Sequence, residues 1–284
     1  MLIAGLALLG AAVFASGRLA PTSAPAPAVP SLPVPAAASP PVPADPSPPA
    51  PSSALAAPTA PEGPPSGAPI RPEVMTVEGE DHLVHVFSFR LAAARFEVVD
   101  VGMSRDLAGV LERTRASFVI NGGFFDRQAR PEGLVVAGGR ELSPLVPSLG
   151  GGVMVVSGGR AALHDAAGFV LGPGVELAVQ ARPRLVVRGE RNVRSDGGPR
   201  AERTALCVLD RGRRMEVIVA RGEAAGSGPT LGLLADMLVA RGCEQALNLD
   251  GGPSTGVAWR EDGGAREMAP RGPIRHAIAV RLDP

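Results

Sequence analysis

More than half of the chain's 30 prolines fall within residues 20–70, a stretch of Pro, Ala and Ser with hardly a charge. Such a composition buries too little apolar surface to offset its ordering entropy, and it favours extended polyproline geometry. The segment reads as a disordered linker. At ~3.1 Å per residue it spans well over ~100 Å when drawn out. It confines a globular fold to residues 71–284, enough chain for one domain with a large core.

Ahead of the linker, residues 1–19 carry an apolar run from Leu2 to Ala15 followed by small residues. The run is shorter than the roughly 20 residues of a membrane-spanning helix, and no Lys or Arg precedes it. It reads as a signal peptide or a short N-terminal anchor. No Cys lies nearby to carry a lipid. The expectation is an exported protein, periplasmic, envelope-bound or extracellular, with a membrane tether through this segment as an option.

The formal charge is zero, so neither nucleic acid nor an anionic membrane is implied as a partner. All 28 basic residues are Arg, and Tyr is absent. Without Lys there is no Schiff base, no lysine general base and no phosphate-binding loop of the P-loop kind. The guanidinium fork and four His are the basic tools that remain. Cys207 and Cys243 sit in apolar contexts, compatible with a disulfide in an exported protein or with two buried thiols.

From Arg71 onward the pattern is mostly short strands. Leu83 to Phe89 and Arg95 to Val101 read as an opening pair. Ser104 is the expected cap of a short helix with Leu107, Val110 and Leu111 on one face. Ala116 to Ile120 reads as a buried strand ending at Asn121. Hairpins are expected at Gly138-Gly139, Gly158-Gly159 and Asp210-Arg-Gly212. The polar stretch from Gly189 to Glu202 reads as a mobile loop. Pro229 to Arg241 has the clearest helical spacing, with Gly242 beyond its end. It leads into a strand from Ala246 to Leu249 and thence to Asp250. A last strand covers Ala277 to Leu282. The fold class is α+β, a single domain with a mixed β-sheet core rich in hairpins and a few flanking helices.

Several chemistries compete for the stretch around Asp250. Gly252-Pro-Ser-Thr-Gly256 fits the G-x-S-x-G elbow of a serine hydrolase, with Asp262 and His276 following in order. That motif needs a helix after the serine, and Val257 to Gly264 reads as strand and turn. A metal site finds little support. His82 and His85 are three apart in a strand and face opposite sides; His164 and His276 stand alone; Asp250 has no visible cluster beside it. Asn121 and Asp250, each before Gly, can also simply cap turns.

Asn121-Gly-Gly-Phe-Phe-Asp126, Pro131-Glu-Gly-Leu134, Arg203-Thr-Ala205, Asn248-Leu-Asp-Gly-Gly-Pro-Ser254 and Arg275 occur in this order over most of the domain. Together they resemble the phosphodiester glycosidase family, over roughly Val84 to Leu282. Bacterial members of that family are often described as exopolysaccharide-related. The resemblance implies a hydrolase that cleaves the glycosidic bond of a sugar-1-phosphodiester in a cell-envelope or extracellular glycan, without a metal or other cofactor. Its partner would be a carbohydrate or sugar-phosphate substrate. Phosphate is a far better leaving group than a sugar hydroxyl, so the demand for a strong general acid falls.

Under that resemblance Asp250 is the carboxylate that stabilises or attacks the oxocarbenium-like carbon. Arg203 and Arg275 grip phosphate oxygens through their forks, and Glu132 is a second carboxylate. Gly122, Gly123, Gly251 and Gly252 allow close backbone approach and N–H donation to the ligand. Asn121, Thr204 and Ser254 add neutral hydrogen bonds, and Phe124 offers an apolar face to a sugar ring. Two departures stand out. The family commonly has a third Gly where this chain has Pro253, and often a Gly near Cys207, where a larger side chain is expected to crowd the pocket floor. The same residues also fit a non-catalytic exported module that binds sugar phosphates or anionic glycans, and Ser254 keeps the serine hydrolase alternative open.

Overall fold

The computed structural model of the protein describes residues 67–76, 82–194, 198–262 and 264–284. The signal or anchor segment and the linker up to residue 66 lie outside the described residues, as do residues 195–197 of the loop expected to be mobile. The last four linker residues belong to the fold. Gly67 N–H donates to the Arg115 carbonyl at 2.7 Å, Ile70 N–H donates to the Arg260 carbonyl at 2.8 Å, and the Ile70 side chain is buried in the core.

In chain order, β1 (Glu73–Thr76), β2 (His82–Arg90) and β3 (Ala94–Ser104) precede helix α1 (Leu107–Thr114) and β4 (Phe118–Asn121). Short strands follow: β5 (Val135–Ala137), β6 (Arg140–Ser143), β7 (Gly152–Ser157), β8 (Arg160–Asp165), β9 (Val175–Ala181) and β10 (Arg184–Val187). Then come β11 (Glu190–Arg191), β12 (Arg203–Leu209), β13 (Arg214–Gly222), helix α2 (Leu231–Ala240) and β14 (Gln245–Asn248). β15 (Val257–Glu261), β16 (Gly264–Met268) and β17 (Ile274–Leu282) complete the domain. Three sheets result, ordered β1-β2-β13-β12-β14-β10-β11, β16-β15-β4-β17-β3 and β6-β5-β9-β7-β8.

The α+β class holds, with strand far outweighing helix. The pairings between these strands are antiparallel, where a mixed sheet was expected. The reason is connectivity: hairpins need only tight turns, whereas parallel neighbours need long crossovers. The three expected hairpins form, closing at Ala137↔Arg140, Ser157↔Arg160 and Leu209↔Arg214. Gly138 and Gly139 sit at φ +55° and +75°, the left-handed pair that a two-residue hairpin turn requires.

Two local expectations are corrected. β2 and β3 do not pair; a short 3-10 turn at Leu91–Ala93 carries the chain from the first sheet to the second. Leu91 anchors that turn, buried and with its N–H on the Arg213 carbonyl. Helix α1 is capped by Asp106, whose carboxylate accepts from Gly109 N–H at 2.6 Å, while Ser104 Oγ accepts from Asp106 N–H one step earlier. A carboxylate is the stronger acceptor at a helix N-terminus.

Side-chain alternation sorts the core into layers. Leu206 and Val208 of β12 point into a cluster shared by all three sheets, with Phe87, Phe118, Val179, Leu247 and Ile278. Ala205, Cys207 and Leu209 point the other way, onto Leu234, Ala235 and Leu238 of α2. Helix α1 covers the outer face of the second sheet through Leu107, Val110 and Leu111. At the far end of α2, Arg241 bonds the buried Glu216 of β13 at 2.8 Å and Glu73 of β1 at 3.0 Å. That ion pair fixes where the helix ends, and so where β14 begins.

Cys207 and Cys243 form a disulfide, with Cα atoms 5.6 Å apart and both residues buried under α2. The larger side chain at position 207 therefore faces the helix layer and does not crowd the site. The bond closes a segment with a sequence separation of 36 residues, and the chain-entropy model gives about 4 kcal/mol for a loop of that size. Replacing both cysteines with alanine should lower the unfolding free energy by about 2–4 kcal/mol in a denaturant titration. Strong reductant should destabilise the native protein by a similar amount. Equal stability of variant and parent would show that the bond contributes nothing.

Candidate functional site

The site lies where the first two sheets meet. β4 of the second sheet ends at Asn121, β12 of the first begins at Arg203, and β14 ends at Asn248 just before Asp250. A polar end on a buried strand must find partners, and Asn121 finds four. Its Nδ2 donates to the carbonyls of Asp250 at 2.8 Å and Gly122 at 3.2 Å. Its Oδ1 accepts from Thr204 Oγ1 at 2.7 Å and Gly256 N–H at 3.3 Å. A carboxamide has two donors and two acceptor sites, so none remains for a ligand. Asn121 and Thr204, both fully buried, are thus joined to the backbone of Asp250 as a scaffold. The expected role in sugar hydroxyl binding gives way to one in holding the loop.

The glycines show the same economy. Gly122 N–H donates to the His276 carbonyl at 2.9 Å, and Gly123 N–H to His276 Nε2 at 3.0 Å. Gly251 N–H donates to Asp250 Oδ1 at 2.9 Å, and Gly252 N–H to the Glu202 carbonyl at 2.7 Å. All four N–H groups expected to face a ligand are taken within the protein. Two of the positions require the absence of a Cβ, and Gly252 requires instead a positive φ of +57°. At Gly122 a Cβ would lie 2.2 Å from the His276 ring, and at Gly251 2.9 Å from the Glu202 carbonyl oxygen.

Asp250 is the carboxylate at the centre. Its charged form accepts from Ser254 as well as Gly251 N–H, yet burial outweighs both and raises its pKa above the usual carboxylate value. Arg203 lies against the next residue: a Cβ on Gly251 would stand 3.8 Å from Arg203 Nη1. The guanidinium is steadied by carbonyls, donating from Nη2 to Pro199 at 2.8 Å and from Nε to Pro229 at 3.3 Å. Among the described residues no carboxylate ion-pairs with it, and burial depresses its pKa, a cost only partly offset by Glu202. Arg203 is thus a cation held in place against Gly251, the residue that follows Asp250.

The remaining expected residues are placed differently. Arg275 already spends both terminal nitrogens on the carboxylate of Asp100, so its fork is not open to phosphate. Glu132 joins the Asn121 turn through its backbone N–H, which donates to the Phe124 carbonyl at 2.8 Å. Its carboxylate has no hydrogen-bond or ion-pair partner among the described residues. Phe124 is half-buried against the shared core. Pro253 sits exposed within the 3-10 turn Gly252–Ser254, its carbonyl accepting from Gly272 N–H.

The serine-hydrolase geometry is not formed. Strand β15 follows Ser254, Asp262 pairs with Arg71 on the surface, and the Nε2 of His276 is occupied by Gly123. No group of three or more His, Cys, Asp or Glu among the described residues could hold a metal ion. His276, weighed in the sequence only for a serine-hydrolase triad or a metal, has a role in the site that sequence reasoning missed. The pairing Ala277↔Asn121 brings it under the Asn121 turn, and burial together with Arg275 pushes its pKa down to about 4. It is therefore a neutral acceptor at ordinary pH. Only the cross-strand register carries that signal.

Comparison with known proteins adds a family to this geometry. A hypothetical protein from Synechocystis shares the fold with a TM-score of 0.54 at 17% identity, over 75% of this chain and 62% of that one. The catalytic domain of zebrafish N-acetylglucosamine-1-phosphodiester alpha-N-acetylglucosaminidase, auto-inhibited by its pro-peptide, gives 0.59 at 15% identity, over 75% of this chain and 82% of that one. At such identities the likeness is one of fold. No curated protein matches the sequence. The phosphodiester glycosidase family model matches residues 114–281, which includes Asn121, Arg203, Asp250 and His276. Matched over more than half its length, the chain belongs to the phosphodiester glycosidase family.

Proposed function

We propose that the protein is a hydrolase that cleaves the bond between a sugar C1 and a phosphodiester oxygen in a cell-envelope or extracellular glycan. Family membership supports the reaction class, and the observation that carries it is a buried carboxylate, Asp250, followed directly by Gly251, against which Arg203 packs without an ion-pair partner among the described residues. Water adds across the C1–O bond; the sugar leaves with a new C1 hydroxyl and the aglycone leaves as a phosphate monoester. The departing phosphate takes the bonding electrons. Arg203 compensates its growing charge, and no strong acid is needed at the leaving oxygen. Asp250 stabilises or attacks the electron-poor carbon on the other side of the bond. Glu132, on the neighbouring Asn121 turn and with no partner for its carboxylate among the described residues, is our candidate for handling the water proton. The Cys207–Cys243 bond supports export to an oxidising compartment, which agrees with a signal or anchor at residues 1–19 and a tether at 20–70.

A panel of sugar-1-phosphodiesters assayed with the purified protein tests this reading. Asp250→Asn is nearly isosteric and should remain folded while losing on the order of a hundredfold or more in kcat. Parental rates in that variant would remove Asp250 from the chemistry. Binding without turnover by the parent would instead identify a sugar-phosphate binding module.

Arg203→Lys keeps the charge and loses the fork. It should lower kcat/KM for phosphodiesters by roughly ten- to a hundredfold, and much less for an uncharged aryl glycoside that the enzyme accepts. Equal losses on both substrates would make Arg203 structural.

The pH profile offers a further check. If ionised Asp250 is the active form, activity rises as pH increases through its pKa, which burial has raised. Ser254 bonds the charged form and holds that pKa down. Ser254→Ala should therefore move the acid limb of kcat/KM to higher pH, with a loss of roughly five- to two-hundredfold near the limb. A limb that stays in place, or moves to lower pH, contradicts the assignment.

A further inference from the structure

A second concentration of positive charge lies beyond the Asp250 loop. Glu202 is a buried carboxylate, and three arginines gather around it: Arg203 next in the chain, Arg221 near the end of β13, and Arg271 before β17. Arg271 bonds Glu202 directly, Nε to Oε1 at 3.0 Å, and donates from Nη2 to the carbonyls of Gly222 and Glu223. Arg221 donates to the Ala269 carbonyl and has no carboxylate at ion-pair distance among the described residues. One buried carboxylate thus answers three guanidinium groups.

Arg221 and Arg271 line an open cavity of about 620 Å³, together with His82, Leu83, His85 and Met268. The volume suits a sugar-sized ligand. Leu83 and Met268 supply apolar surface, and His85 keeps its Nδ1 buried without a partner. Burial lowers the pKa of His85, so it offers a neutral ring. Glu223 is the one carboxylate among the described lining residues, and it is exposed. Glu202 bonds to a residue of this cavity and to a residue of the proposed active site. Its carbonyl accepts the Gly252 N–H, while its carboxylate takes Arg271.

We propose that the cavity is a subsite for a second anionic group, a phosphate or carboxylate, carried by the substrate beyond the scissile phosphate. The preferred substrate is then a glycan with repeating acidic groups, as opposed to a single diester capped by a neutral alcohol. Arg221 supplies a charge that Glu202 compensates only in part, Arg271 adds to the positive potential, and His85 faces the sugar that bears the anion. The link to turnover rests on the proposed function; the binding does not.

Trp259 makes the binding measurable. It is the chain's single Trp, Tyr is absent, and its ring centroid lies 5.9 Å from that of His85. The full-length protein would be titrated with glycerol phosphate and with glucuronate at constant ionic strength, with glycerol and glucose as neutral controls. The expected result is a saturable change in Trp259 emission with at least one anion and none with the neutral compounds. A response to glycerol phosphate alone assigns a phosphate repeat, and a response to glucuronate alone assigns a uronic acid. Arg221→Gln should weaken that binding about tenfold or more, and Arg221→Lys should keep part of it. In kinetics, the advantage of a diester with a charged aglycone over one with a neutral aglycone should shrink about tenfold in Arg221→Gln. No saturable response to either anion, or an equal response in Arg221→Gln, overturns the subsite. The sequence between Thr76 and His82 contains Glu78, Glu80 and Asp81, and carboxylates that already neutralise Arg221 would produce that negative result. Absence of turnover on every diester, with the fluorescence response intact, would instead count against the proposed function alone.

Discussion

The Asn121 carboxamide holds the two halves of the site together. It sits at the seam of two sheets, out of reach of water, and its four hydrogen-bonding positions are matched by β12, the Asp250 loop, Gly256 and its own turn. A buried polar group left without a partner costs about 1–3 kcal/mol, and Asn121 supplies a partner to the Thr204 hydroxyl and the Gly256 N–H. Strand registry and loop position are therefore set by one side chain. The carboxylate of Asp250 is placed indirectly, because Asn121 grips the backbone of that residue and leaves its side chain to Gly251 N–H and Ser254.

The glycines around the site serve the same closure. A Cβ at Gly122 or Gly251 would collide with a ring or a carbonyl, so their smallness lets the turns stack and satisfy one another. The N–H groups are consumed in the process. Under the proposed function, recognition therefore falls to side chains: Asp250, Ser254, Arg203 and, on the neighbouring turn, Glu132. Side chains that are braced from behind meet a ligand with little entropy left to lose.

Arginine supplies every fixed cation in this protein, and its neighbours decide what each one does. Arg241 and Arg214 neutralise the buried Glu216 and hold α2 against the first sheet. Arg275 is paired with Asp100. Arg203 and Arg221 are steadied by carbonyl oxygens, which orient a guanidinium without cancelling its charge. That distinction separates a structural arginine from one available to an anion, and it depends on whether a carboxylate happens to face the fork.

Much of the fold was legible from short-range pattern. The three hairpins, the apolar faces of α1 and α2, and the buried strand that delivers Asp250 follow from glycine turns and from periods of 2 and 3.6 residues, which are properties of adjacent residues. The order of the motifs from Asn121 to Arg275 pointed to the family. Partnership was not legible. β2 and β3 are neighbours in the chain but lie in different sheets, and Asn121 and Thr204 are 83 residues apart yet share a hydrogen bond. Nothing in the local sequence says that Gly122 and Gly123 donate to His276, that Asp100 waits opposite Arg275, or that Cys207 turns toward Cys243. The sequence by itself determined which groups can do chemistry and which segments form strands. Only the tertiary structure decided which of those groups remain free, because a hydrogen bond or an ion pair is saturated by whatever the fold brings within about 3 Å, however distant in the chain.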